Sequence, residues 1–124
     1  MSKRRWVAPL LLACVIELLT SWPNPPSVRA PEGTDNAVHF LLYLTFGLLT
    51  RRSAWNGRFA WRTAALVAAG LALFAAVDEW HQLFIPGRSM ELVDWIADSV
   101  GVLTGIALYS LITGATFVSR EPNT

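Results

Sequence analysis

Asp35 and His39 stand four residues apart, so on a helix they share one face. Leu42 and Phe46 continue that stripe, and Tyr43 lies next to it. Asp78, His81, Gln82 and Ile85 fall on one arc of a second helix. Trp80 and Phe84 lie on its opposite arc, suited to lipid, with Glu79 between the two. Asp94 and Asp98 repeat the four-residue spacing on a third helix, where Gly101, Gly105 and Leu108 carry the stripe onward. Carboxylates and imidazoles gathered this way have several uses. Asp78 or Asp94 can act as a general base, with His39 or His81 as a proton shuttle. His39, Asp35, Asp78 and Asp94 offer hard nitrogen and oxygen ligands to a metal. The same groups can hydrogen-bond the hydroxyls and amines of a bound molecule. They can also serve as polar glue between helices, at about 0.6 kcal/mol per bond in membranes. No H-E-x-x-H run is present, and Glu79 and His81, two apart, do not share a helical face. Cys14 is the single cysteine, so no intrachain disulfide and no thiol zinc site is available; inside an apolar run it reads as a small packing residue. No metal or cofactor is assigned.

The elements that must position these groups are apolar. The chain has 124 residues, 53% of them hydrophobic and 15% charged, against about 25% charged in a soluble domain. Its mean hydropathy is +0.40. Membrane helices need about 20 mostly apolar residues. Four stretches qualify or nearly so, which predicts an all-α chain: a single domain over 1–124 folded as a four-helix transmembrane bundle. The helices are expected at about 6–22, 35–50, 62–85 and 92–117. Trp22-Pro23-Asn24-Pro25-Pro26 breaks the first and Pro86-Gly87 the third. The segment from Arg51 to Arg62 reads as a short polar link. Lys3-Arg4-Arg5 followed by an apolar run resembles the start of a signal peptide. The nearest small-residue cleavage site, Val28-Arg29-Ala30, lies far beyond that run and precedes Pro31, which argues against cleavage.

Charge orients the spans. Lys3, Arg4, Arg5, Arg51, Arg52, Arg58, Arg62 and Arg120 all fall on one side of a four-span chain, and only Arg29 and Arg88 on the other. The positive-inside rule then places both termini in the cytoplasm. Trp6, Trp22, Trp55, Trp61, Trp80 and Trp95 fall near the interfaces, as belt residues do. Glu32, Asp35, Asp78, Glu79, Glu91 and Asp94 lie at the outer boundary, with Glu17 and Asp98 one to two turns inside it and only Glu121 cytoplasmic. Both histidines belong to the outer half. The basic residues are accounted for by topology and no nucleic-acid motif is present, so nucleic acid is not an expected partner.

An unpaired carboxylate facing lipid costs about 2.5–3.5 kcal/mol on insertion scales. Turning the polar stripes toward one another avoids that cost. The expected result is one outer pocket containing Asp35, His39, Asp78, Glu79, Gln82, Asp94 and Asp98, with Glu17 at its floor or reaching to the interface. Arg88 is expected to bend back as a counter-ion or to face a headgroup. Gly101 and Gly105 form a GxxxG pattern that lets two helices of the monomer approach closely.

At this point the residues resemble a known family. Asp35-Asn36-Ala37-Val38-His39, the run Asp78-Glu79-Trp80-His81-Gln82-Leu83-Phe84-Ile85-Pro86-Gly87-Arg88, and Asp94 with Asp98, Gly101 and Gly105 look like the three signature stretches of VanZ-like membrane proteins. The resemblance covers about residues 30–110. Asn36 stands where the family usually has lysine, and Asp98 where asparagine is common; both changes make the pocket more negative. The resemblance implies a multi-pass protein of the cell membrane with a role at the cell envelope and in glycopeptide (teicoplanin-type) antibiotic resistance, but no particular reaction. Two functions follow as expectations. One is a non-enzymatic envelope protein whose pocket holds a lipid headgroup or lipid-linked envelope precursor, with Arg88 on the phosphate. The other is an intramembrane hydrolase or transferase, in a metal-dependent variant or not, acting on a lipid-linked substrate through Asp78, Asp94 and His39.

Overall fold

The computed structural model describes residues 2–23, 33–57 and 59–118. Val28-Arg29-Ala30, Glu32, Arg58, Arg120 and Glu121 lie outside the described residues. A 3-10 helix, Lys3–Trp6, leads into α1, Val7–Thr20. Then follow α2, Thr34–Ser53, α3, Trp61–Gln82, and α4, Leu92–Val118. No strand occurs among the described residues.

The two largest differences from expectation, three residues each, are at the C-terminal ends of α2 and α3 and have physical reasons. α2 continues through Arg51 and Arg52 to Ser53 instead of giving way to a link, because Arg51 is buried in the protein rather than released to water. α3 stops at Gln82, short of Ile85. Leu83, Phe84 and Ile85 donate instead to the carbonyls of Trp80, His81 and Gln82, a tightened i to i−3 pattern. Pro86 disfavours a helical Ile85, and Gly87 turns the chain at φ 77°.

The closest packing is between α2 and α4. The GxxxG glycines make it possible within one chain. A Cβ on Gly101 would fall 2.5 Å from the Phe40 carbonyl oxygen, and one on Gly105 would collide with that of Leu44. Gly47 answers from α2, where a Cβ would lie 2.5 Å from the Val102 carbonyl oxygen. Ile16, Tyr43, Phe46, Leu71, Ala75, Val102 and Ile106 form the apolar core, so each of the four α-helices contributes to it. Phe46 meets Phe74 edge-on, with ring centroids 5.3 Å apart.

The outward surface is also apolar. Leu10, Leu18, Leu66, Leu73, Leu103 and Leu111 all face away from the protein. So many large exposed apolar side chains are uncharacteristic of a soluble monomer. Among the described residues two helices are long and apolar enough to cross a membrane: α3, with mean hydropathy 1.5, and α4 over Leu92–Gly114, with 1.6. Helix α2 misses that mark because Asp35, Asn36 and His39 at its start and Arg51 and Arg52 at its end lower its hydropathy. Cys14 belongs to the outward surface, so it is not the packing residue its apolar context predicts. Leu108 leaves the α4 stripe and is exposed. Trp95 is not a belt residue either: it packs against the core, and its indole N–H donates to the Ala72 carbonyl within α3 at 3.1 Å.

Candidate functional site

The C-terminal ends of α1 and α3 and the N-terminal ends of α2 and α4 meet at one end of the molecule, and the acids and histidines meet there with them. Asp78 and Glu79 are each 1% exposed, and Asp98 is 0% exposed. Gln82 is buried beside them. Such groups need partners, and most are present. The Thr20 hydroxyl lies 2.7 Å from Asp78 Oδ1, and the Tyr43 hydroxyl donates to Asp78 Oδ2 at 3.4 Å. Glu79 Oε1 accepts from Gln82 at 3.4 Å, and Oε2 accepts the backbone N–H of Glu91 at 3.2 Å. Glu91 immediately precedes α4, so the Glu79 carboxylate of α3 caps the next helix, where a negative charge is favoured. His39 Nδ1 and Asp98 Oδ1 are 2.8 Å apart, joining α2 to α4. The other oxygen of Asp98, Oδ2, has no hydrogen-bond partner.

Among the described residues, two groups of side chains place potential metal-binding atoms within 4.8 Å of one another. One is His39, Glu79 and Asp94, drawn from α2, α3 and α4. The other is Glu17, Asp78 and His81, in which Glu17 and His81 approach to 3.9 Å. Thus Glu17 stands beside Asp78 and His81, and the expected metal ligands divide. His39 and Asp94 fall together, Glu79 joins them, and Asp78 belongs to the other trio.

Asp35 is exposed at the first turn of α2, outside the buried cluster. Arg88 is not turned toward the acids. Its Nε donates to the Trp22 carbonyl at 3.1 Å and its NH2 group to the Leu19 carbonyl at 2.7 Å. It therefore closes the C-terminal end of α1, where a cation complements the helix dipole. Thr20 was not anticipated from sequence, although it stands three residues after Glu17 and so on a neighbouring position of the same face.

The opposite end holds a second polar arrangement. Arg51 is buried, with Nε 3.4 Å from Ser110 Oγ and its guanidinium 4.9 Å from the centre of the Trp55 ring. The Ser53 hydroxyl donates to the Arg5 carbonyl. A hollow of about 520 Å³ opens there, lined by Ser2, Arg5, Trp55, Asn56 and Gly57. None of the sequence-predicted site residues lines it.

No curated protein and no solved structure matches the chain. The VanZ/LLP1 family model matches residues 10–113, from the first turn of α1 to the last turns of α4. The match extends beyond the three signature stretches and takes in α1. The chain therefore belongs to the VanZ/LLP1 family, and with its two long apolar helices it is a membrane protein.

Proposed function

We propose that this protein crosses the cell membrane four times, with both termini in the cytoplasm, and that its acid–histidine cluster binds the polar head of a lipid or lipid-linked envelope precursor in the outer half of the bilayer. The weakest span is α1: its 14 residues rise about 21 Å, less than the roughly 30 Å of a hydrocarbon core, and a short span is accommodated by local thinning of the bilayer. The charges Lys3, Arg4, Arg5, Arg51 and Arg52 gather at the end opposite the acids, which supports the orientation. The labelling pattern follows. With Cys14 replaced by alanine, Ser89→Cys should react with a membrane-impermeant maleimide in intact cells. Asn56→Cys should react only after permeabilisation; the reverse pattern would overturn the orientation.

One observation carries the binding proposal: Asp98 is fully enclosed, with one oxygen on His39 and the other unpartnered. An ionisable residue at membrane depth is by default a functional candidate. Arg88 is committed to α1, so the cluster suits hydroxyls, amines or a cation better than a bare phosphate. The family links such a protein to glycopeptide resistance. Expression in a susceptible Gram-positive host should shift glycopeptide susceptibility, and Asp78→Asn, Asp94→Asn and His39→Ala should each abolish the shift while the protein still reaches the membrane. Variants that behave like the parent would remove the cluster from the function.

The His39–Asp98 pair favours a second function, an intramembrane hydrolase or transferase on a lipid-linked substrate. With Asp98 accepting from Nδ1–H, the lone pair of His39 rests on Nε2. That nitrogen is then a general base for an attacking water or alcohol. Turnover of a lipid-linked substrate by purified protein, lost with His39→Ala, distinguishes catalysis from binding alone.

A further inference from the structure

We propose that His39, Glu79 and Asp94 form a divalent-cation site of one imidazole nitrogen and two carboxylates, with Asp98 as the group behind the histidine. The inference rests on the same cluster as the proposed function and names what that cluster holds. Ligands about 2.1 Å from one ion lie roughly 3 to 4 Å from each other. Donor atoms already within 4.8 Å therefore need only small side-chain adjustments to share an ion. The three residues come from three helices, so the site is fixed by packing rather than by one flexible loop.

The surroundings resemble those of a built metal site. A metal-bound histidine almost always donates its second nitrogen to a carboxylate or carbonyl, which sets the tautomer and the ring orientation. Asp98 takes that place at 2.8 Å from Nδ1, and in the neutral ring this leaves the lone pair on Nε2. Glu79 is oriented in turn by Gln82 and by the Glu91 amide. A separate observation points to a missing charge. Asp98 is 0% exposed and its Oδ2 is unpartnered. A buried carboxylate with a free oxygen calls for a proton or a cation. Arg88 does not supply it, since it is bound to carbonyls of α1.

The second trio is the weaker candidate. His81 Nδ1 has no hydrogen-bond partner to orient the ring, and both hydroxyl contacts of Asp78 are already made. One nitrogen with oxygens suits an ion of the zinc or manganese class. Such an ion would also reconcile an acidic cluster with an anionic lipid head, because the metal rather than a carboxylate would meet the phosphate.

The test uses the full chain purified in detergent, stripped with chelator and titrated with Mn²⁺ while free Mn²⁺ is followed by electron paramagnetic resonance. One Mn²⁺ should bind per chain. Asp94→Asn should weaken it at least about tenfold, and Asp98→Asn about ten- to a hundredfold, the range for partners behind a ligand. Asp94 is only half-buried, so its variant is the one expected to keep the fold, as monodisperse gel filtration will show. His81→Ala should leave binding unchanged. No stoichiometric Mn²⁺ up to millimolar concentration, or binding that survives Asp94→Asn but is lost with His81→Ala, would overturn the site. The two proposals fail separately. Mn²⁺ binding without any effect on glycopeptide susceptibility keeps the site and removes the envelope role; the converse removes the site alone.

Discussion

Gly105→Ala should destabilise the protein at or beyond the upper end of the about 1–3 kcal/mol that overpacking usually costs. The added methyl group would fall on the Leu44 carbonyl oxygen and 2.7 Å from the Leu48 nitrogen. Both are backbone atoms of a helix, and neither can rotate away as a side-chain terminus can. α2 and α4 would have to separate along their closest contact, which also joins His39 to Asp98. Gly70→Ala and Gly114→Ala are the controls. A Cβ at either position meets nothing within 4 Å, and alanine in a helix is favoured over glycine by about 0.5–1 kcal/mol. Unfolding midpoints of the three purified variants measure the contrast. A Gly105→Ala midpoint equal to that of the parent would mean that α2 and α4 do not pack in this way.

The second large effect is expected at His39. Removing the imidazole leaves Asp98 enclosed, with neither oxygen hydrogen-bonded. An isolated charge at the centre of a membrane helix costs about 2.5–3.5 kcal/mol, and breaking a buried pair from one side is costly for the same reason. His39→Ala should therefore lose about 2–3 kcal/mol. The double variant His39→Ala/Asp98→Leu should recover much of that loss, because it removes both the base and the stranded carboxylate. Equilibrium unfolding of the parent, both single variants and the double variant gives the coupling directly. Strict additivity would show that the 2.8 Å contact carries no energy.

Much of this arrangement was legible in the sequence because helices obey a short period. His39, Asp94, Asp98, Gly101 and Gly105 could be placed on facing stripes from spacing alone. The glycine pair is where that inference is sharpest, since two missing side chains four apart have few other uses in an apolar helix. Other features depend on what crosses from a neighbouring element, and spacing does not record that. Glu79 looked ambiguous, lying between two arcs, yet it is buried because its partner is the amide of Glu91, beyond the turn. Tyr43 looked peripheral to its stripe but sits in the core and reaches Asp78 on another helix. In the sequence Arg51 reads as an orienting charge at the start of a polar link, because its burial depends on Trp55 and Ser110 closing around it. Asp35 shares a face with His39 but stands one turn earlier, where α2 has not yet entered the packed region. The motif containing Arg88 suggested a headgroup contact, while the geometry turns the guanidinium onto α1.

That last contact has a consequence for the order in which the chain is completed. The Trp22 carbonyl receives its donor from a side chain 66 residues further along, and the Leu19 carbonyl, which also accepts the Trp22 N–H, receives a further donor from the same side chain, 69 residues on. As the polypeptide emerges from the ribosome, α1 is the earliest of the four helices to be synthesised, yet its C-terminal end must wait for the turn between α3 and α4. The first helix made is thus finished only after the third, and a nascent chain that stops short of residue 88 lacks the side chain that fastens it.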